Sequence, residues 1–280
     1  MPEIVTRFAP SPTGYLHLGH VHAAKVAHDL ARQDGGRFLL RFEDIDHTRT
    51  RPEYYDAMEE DLRWLGLAWD GAALRQSSRT AAYDAVLERL KEIGAVYPCF
   101  CTRREIEEEV ARITNAPHGP EGALYPGTCR RLPLADREAR IANGIQPAWR
   151  LDVSFAAGLT GPLSFHDLQH GRHHVDPGLL GDVVLARKDI GTSYHLAVTT
   201  DDAFQDVTHV TRGEDLLLAT HVHRLLQALL GFPEPLYLHH SLVLDGNGVR
   251  LAKRNEALSI RHLKAAGNTP QTILAMLPLS

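Results

Sequence analysis

Apolar positions in the first hundred residues follow two alternating periods. Ile4 to Phe8 is a short, mostly apolar run of the kind that forms a buried strand, and it gives way to the loop Pro10-Ser11-Pro12-Thr13-Gly14. From Leu18 the spacing lengthens, with Leu18, Val21, Ala24, Ala27, Leu30 and Ala31 recurring as one helical face until Gly35-Gly36 ends it. Arg37 to Phe42 reads as a second strand. Pro52, suited to a first helical position, opens a helix on which Met58, Leu62 and Leu65 share a face. Another helix starts near Ala81, with Val86, Leu90 and Ile93 inward and Gly94 as its stop. Strand, loop and helix in series predict an α/β fold around a parallel sheet, with ligands held outside the carboxyl ends of the strands.

The alternation breaks from about Tyr97 to Trp149, where cysteines, a charged helical stretch from Arg103 to Ile113 and the loop Asn115 to Pro120 follow one another. This segment reads as an insertion. Strand-like runs return at Val183 to Ala186, Tyr194 to Thr199 and Val207 to Thr211, and a helix spans roughly Thr220 to Leu230. The expected organisation is therefore a first half of the sheet domain over residues 1–96, an inserted segment over 97–150, and a second half over 151–280 that ends in a short helical stretch.

Composition narrows this picture only slightly. A chain of 280 residues can bury a large core, and its net charge of −5 argues against a surface that is basic all over while leaving room for a local basic stripe that holds RNA. The N-terminal run Met1 to Thr6 has no basic segment leading into an apolar one, and no apolar run is long enough for a bilayer span. A cytoplasmic monomer that does not engage membranes is the expectation. The three cysteines all fall between Cys99 and Cys129, a clustering that suits one small metal site better than a secreted disulfide framework. Read without further context, free buried cysteines are an equal alternative.

The candidate chemistry lies in two distant motifs. The first is the run from Arg7 to Gly14 followed by His17-Leu18-Gly19-His20 at the mouth of the first helix, and the second is Arg250-Leu251-Ala252-Lys253-Arg254. Imidazoles at a helix N-terminus sit where unpaired amides and the helix dipole already favour phosphate oxygens, and Gly19 lets a nucleotide approach the backbone. A lysine far along the chain adds a mobile cation, so ATP-dependent activation of a substrate is the expected chemistry.

These residues resemble the start and the second signature of the class I glutamyl-tRNA synthetases, whose His-Ile-Gly-His and Lys-Met-Ser-Lys-Ser motifs bind ATP. The likeness continues through Arg41-Phe42-Glu43-Asp44-Ile45-Asp46, Ser193-Tyr194-His195-Leu196-Ala197 and Thr211-Arg212-Gly213-Glu214-Asp215-Leu216, and so covers nearly the whole chain. Pro10-Ser11-Pro12-Thr13 favours the glutamate branch over the glutaminyl one. The resemblance implies a Rossmann-type catalytic domain with an inserted zinc-binding, acceptor-like subdomain. It also implies an amino-acid pocket made by Arg7, Phe8, Ala9, Pro10 and Ser11 with Glu43, Tyr194 and Arg212, and an ATP site made by His17, Gly19, His20 and Lys253, with Mg²⁺ arriving on the nucleotide. His17, His20 and Lys253 would be the catalytic groups. Charge matching is consistent with this, because the two carboxylates and one ammonium of glutamate suit Arg7, Arg212 and Glu43.

Cys99, Cys101, Tyr125 and Cys129 match the Cys-x-Cys and Tyr-x₃-Cys pattern of a structural Zn²⁺ site in one subgroup of the family, and His118 competes with Tyr125 as fourth ligand on donor chemistry. Two departures stand out. Arg250 and Ala252 replace a lysine and a serine of the second motif, and Val198 stands where asparagine is common, so weaker glutamate binding is expected. Only a short stretch follows Lys253, which leaves no room for an anticodon-binding domain. That feature resembles the short paralogues that attach glutamate to queuosine in the anticodon loop of tRNA(Asp). The competing expectations are a truncated enzyme charging the 3′ end of tRNA(Glu) and a non-catalytic, zinc-stabilised RNA-binding module.

Overall fold

The computed structural model describes residues 3–112, 118, 119, 122–243 and 259–278. In chain order the elements begin with β1 (Val5–Phe8), α1 (Leu18–Gln33), β2 (Arg37–Phe42), α2 (Pro52–Trp64), β3 (Leu74–Arg75), α3 (Thr80–Ile93) and β4 (Val96–Cys99). The middle of the chain forms α4 (Arg103–Arg112), β5 (His118–Gly119), β6 (Gly122–Ala123), α5 (Leu134–Ala142), β7 (Ala148–Leu151), α6 (Val153–Thr160), β8 (Ser164–Asp167), β9 (Gly171–His174) and β10 (Val184–Ala186). The remainder forms α7 (Tyr194–Phe204), β11 (His209–Gly213), α8 (Ala219–Leu230), β12 (Leu236–His240), α9 (Ile260–Ala265) and α10 (Pro270–Ala275).

Parallel pairing dominates where the α/β alternation predicted it. β2 lies between β1 and β3, and β12 lies between β11 and β8, all in parallel register. The amide of Thr208 donates to the carbonyl of Val5 at 3.0 Å, joining the β1 edge to the start of β11. β1, β2, β11 and β12 therefore run side by side with their carboxyl ends together. β2 is buried on both faces, with Phe38, Leu40 and Phe42 in the apolar core and Arg41 fully buried on the opposite side. The first core packs α1, α2, α9 and α10 on this sheet through Leu16, Val21, Ala24, Met58, Leu62, Ile260 and Ile273.

A second core joins α3, α6, α7 and α8 to the antiparallel sheet β10-β7-β4 through Tyr83, Leu90, Leu151, Leu185, Leu196 and Leu226. This sheet draws strands from both ends of the expected insertion and from β10 beyond it, so its pairing runs past residue 150. α3 ends at Gly94, whose φ of 78° is the left-handed conformation that glycine adopts without strain. Its buried face is Tyr83, Leu87 and Leu90, with Val86 and Ile93 packed at the margin.

One element differs in type from the sequence expectation. Tyr194 to Thr199, read as a strand, begins α7 instead. Every residue from Leu196 to Asp202 is buried, so no polar face marks the helical period, and an apolar run of that kind has the same signature as a buried strand. The Thr199 and Thr200 hydroxyls donate to the carbonyls of His195 and Leu196 at 2.8 and 2.7 Å, which lets both threonines sit inside a buried helix. Among the described residues no helix is long and apolar enough to cross a membrane.

Candidate active site

A cavity of about 550 Å³ opens at the shared carboxyl ends of β1, β2, β11 and β12. It is lined by Arg7 and Phe8 from β1, by Ala9, Pro10 and Ser11 just beyond it, and by Glu43 after β2. Tyr194 joins from α7, Arg212 and Gly213 from β11, and His17, Gly19 and His20 from the mouth of α1. Every residue that the resemblance assigned to the amino-acid pocket lines this one space, together with all of the assigned ATP contacts except Lys253. That lysine, with the rest of the second motif, lies outside the described residues. The loops are tied together by backbone bonds: the Glu43 amide donates to the Pro10 carbonyl at 3.0 Å, and the Ile260 amide donates to the Leu16 carbonyl at 2.8 Å.

The two motif histidines cap the helix as well as face the cavity. His17 Nδ1 accepts from the Gly19 amide at 3.1 Å, and His20 Nδ1 accepts from the His17 amide at 3.3 Å. Both rings must then carry their proton on Nε2, the donor form that a phosphate oxygen requires. The ring centres are 3.8 Å apart. A Cβ on residue 19 would stand 3.1 Å from His17 Cε1, so glycine is what allows this ring to fold back over the helix start.

The floor of the cavity is an ionic network that the motifs did not reveal. Arg7 Nε and Arg41 Nη1 both donate to Asp202 Oδ1, at 2.9 and 2.7 Å, and Arg7 Nη1 donates to the Thr211 carbonyl at 2.9 Å. Arg41 Nη2 lies 3.9 Å from Glu43 Oε1. Burial opposes the charge on Asp202, but Arg7 and Arg41 outweigh it and hold the carboxyl below its ordinary 3.8. Burial opposes the Arg41 charge too, and Asp202, Glu43 and Asp201 reverse that and hold its proton more tightly than usual. For Glu43 burial wins over Arg41 and Arg7, and its pKa rises above 4.5. A cation in the middle of the buried strand Arg37–Phe42 was the sequence signal for this network, since such a charge demands an internal carboxylate.

Arg212 is held differently. Its Nε donates to His239 Nε2 at 3.1 Å, Nη1 reaches Tyr194 OH at 3.2 Å and His223 Nδ1 at 3.1 Å, and Nη2 donates to Thr220 Oγ1 at 2.5 Å. His223 Nε2 in turn lies 3.1 Å from His195 Nδ1. Burial, helped by the Arg212 charge, lowers the pKa of His239 and His195 to about 4 and holds that of His223 well below its ordinary 6.5. These rings are neutral acceptors around a buried cation. His22 and His240 also line the cavity, edge to face at 4.8 Å between ring centres.

The cysteines meet at one point in a separate region. The Sγ atoms of Cys99, Cys101 and Cys129 all lie within 4.8 Å of one another, close enough to hold one metal ion. The hydroxyl of Tyr125 stands 3.4 Å from Cys99 Sγ and 3.5 Å from Cys101 Sγ. Three sulfurs and one oxygen at such spacing fit a tetrahedral ion, and the Arg150 guanidinium stacks over the Tyr125 ring at 3.9 Å. The His118 side chain lies outside the described residues.

Residues 3–280 match the family model for tRNA synthetases class I (E and Q), catalytic domain. The chain is 50% identical to glutamyl-Q tRNA(Asp) synthetase of Rhodobacter capsulatus over 281 residues, covering 99% of this chain and 100% of that protein. It is 46% identical to glutamyl-Q tRNA(Asp) synthetase of Nocardia farcinica, covering 97% of this chain and 82% of that one. The crystal structure of a glutamate tRNA ligase from Elizabethkingia meningosepticum in complex with its amino acid superposes with a TM-score of 0.77 at 31% identity, covering 90% of this chain and 52% of that longer one. Parallel strands ending at a single polar cavity, a histidine-capped first helix and this likeness over nearly all of its length together make the chain a member of the class I tRNA synthetases of the glutamate and glutamine type.

Proposed function

We propose that this chain activates L-glutamate with ATP and transfers the glutamyl group to queuosine in the anticodon loop of tRNA(Asp). The reading rests on one observation above the others: Arg7, Glu43, Tyr194 and Arg212 line the same cavity as His17 and His20. Relatives whose names specify glutamyl-Q tRNA(Asp) synthetase activity match it over 100% and 82% of their lengths. Two guanidiniums and a carboxylate complement the two carboxylates and the ammonium of glutamate. The His17 and His20 Nε2–H groups complement the phosphates of ATP.

In the first step an oxygen of the glutamate α-carboxylate attacks the α-phosphorus of ATP in line, the bond to the β-phosphate breaks, and pyrophosphate leaves with its Mg²⁺. His17 and His20 donate to phosphate oxygens whose charge grows in the transition state, and Lys253 neutralises the leaving pyrophosphate. Holding the carboxylate at the phosphorus supplies most of the remaining acceleration. In the second step a hydroxyl of the queuosine ring attacks the activated carbonyl, a new ester forms, and AMP departs. No enzyme nucleophile takes part.

Cys99, Cys101, Cys129 and Tyr125 would hold one structural Zn²⁺, an internal cross-link of the inserted segment at residues 97–150, which separates the catalytic halves at 1–96 and 151–280. The protein works as a cytoplasmic monomer. The test is glutamate-dependent exchange of pyrophosphate into ATP without RNA. Wild-type protein should catalyse it with glutamate and not with glutamine or aspartate, and Lys253→Ala should lower the rate by roughly 10²- to 10³-fold. Exchange that is indifferent to the amino acid, or a Lys253→Ala rate near wild type, contradicts the reading.

A further inference from the structure

The two arginines of the cavity carry their charge in opposite ways. Arg7 is matched in contact by Asp202 at 2.9 Å, whereas Arg212, only 6% exposed, touches no carboxylate among the described residues. A buried guanidinium without a counter-ion is costly unless its N–H groups are taken up by strong acceptors. Its acceptors are the neutral ring nitrogens of His239 and His223, the Tyr194 hydroxyl and the Thr220 hydroxyl.

The anion nearest along this network stands one ring away. His239 Nδ1 lies 2.6 Å from Asp167 Oδ2, and both residues are fully buried. Burial opposes the Asp167 charge, yet the bond from His239 and the amides of His170 and Gln169 hold its pKa below 3.8, so it is an acceptor only. The His239 proton must therefore sit on Nδ1, which leaves the Nε2 lone pair for Arg212 Nε–H. The chain Asp167 to His239 to Arg212 has a single hydrogen-bond direction, because a guanidinium can only donate.

We infer that His239, oriented by Asp167, is a positioning residue that fixes the Arg212 guanidinium while leaving its positive charge unneutralised for a carboxylate of the amino-acid substrate. A carboxylate in the place of His239 would hold the same N–H but cancel the charge. An imidazole backed by a carboxylate holds it and passes on only a fraction of the negative potential. Arg212 is then the stronger carboxylate anchor of the two arginines, and Arg7 the weaker. His223 and His195 extend the same logic: His223 Nδ1 accepts from Arg212, so its Nε2–H donates to His195 Nδ1.

The inference rests on the reading of this cavity as a glutamate site, and the two separate experimentally. Pyrophosphate exchange is measured against glutamate at saturating ATP, and against ATP at saturating glutamate, for the full chain. His239→Asn keeps a donor toward Asp167 and removes the acceptor for Arg212. It should raise KM for glutamate about 10- to 100-fold, the range expected for a hydrogen bond to a charged group, while KM for ATP moves less than about twofold. His239→Gln, which restores an acceptor at the Nε2 position, should recover most of that loss. Asp167→Asn, which lets the ring turn its proton toward Arg212, should raise the glutamate KM as well. A merely structural role would shift both KM values and the melting temperature together and would show no recovery with Gln. Wild-type glutamate KM in His239→Asn, alongside a raised one in Arg212→Ala, overturns the relay and spares the glutamate site. An unmoved KM in Arg212→Ala overturns both.

Discussion

Removing the charge of Asp202 tests how the floor of the cavity is built. The Asp202→Asn substitution keeps the shape and leaves Arg7 and Arg41, whose side chains are 4% and 0% exposed, facing an amide in place of the carboxylate they share. At an effective dielectric constant of about 20, each contact is worth roughly 4 kcal/mol of gross attraction, which desolvation of the ions largely offsets. What is lost on removing one partner is the compensation of charges that stay buried, about 3–5 kcal/mol. That is a large part of a typical stability of about 5–15 kcal/mol, and it corresponds to a melting temperature lower by about 10 °C. The folded pKa of Asp202 is depressed, so its contribution is present above its unfolded value of 3.8 and is lost as the pH falls through the folded value. The deficit of the variant, measured by urea unfolding, should be full at pH 7 and shrink toward zero below pH 3.8. Glutamate KM should rise about tenfold because Arg7 loses the group that orients it. A variant that melts within about 2 °C of wild type and binds glutamate normally would refute this account of the floor.

Three further outcomes follow from the same physical reasoning. Asp61 is 1% exposed with Oδ2 unpartnered, and burial raises its pKa from 3.8 to about 6 against the pull of Arg261 and Lys264. Its favourable contribution is present below 3.8 and lost as the pH rises through about 6, so Asp61→Asn should stabilise the protein by up to about 3 kcal/mol at pH 7.5 and by nothing near pH 3, as read by urea unfolding. Because Glu43 must be ionised to hold an ammonium and its pKa is raised above 4.5, the glutamate KM should climb as the pH falls toward that raised value, and a flat profile down to pH 4.5 would exclude the role. Metal analysis should find one zinc per chain, and a strong chelator should lower the melting temperature; a metal-free protein indifferent to the chelator removes the Cys99, Cys101 and Cys129 site.

How far the sequence could be read depended on whether a residue acts alone or through neighbours. Arg7, His17, His20, Glu43, Tyr194 and Arg212 lie in the last residues of strands, just after them or at the mouths of helices, where an α/β pattern places ligands, and they do converge on one cavity. Asp202, Arg41, Asp167, His223 and His239 were not legible as a set, because their meaning comes from contacts between positions as distant as Arg41 and Asp202. The strands Ser164–Asp167 and Leu236–His240 also went unread, being short and carrying polar residues at buried positions, Asp167 in the first and His239 and His240 in the second. α7 was mistaken for a strand because it is buried all round, the condition under which periodicity carries no information.

The acceptor is the central claim, and locating the glutamate tests it most directly. Total tRNA, incubated with the protein, ATP and labelled glutamate, is digested with a base-specific nuclease and the labelled fragment is identified. The account predicts label on the anticodon-loop fragment of tRNA(Asp) and none on tRNA that lacks queuosine. Label on a 3′-terminal fragment, cleaved from tRNA(Glu), would contradict it.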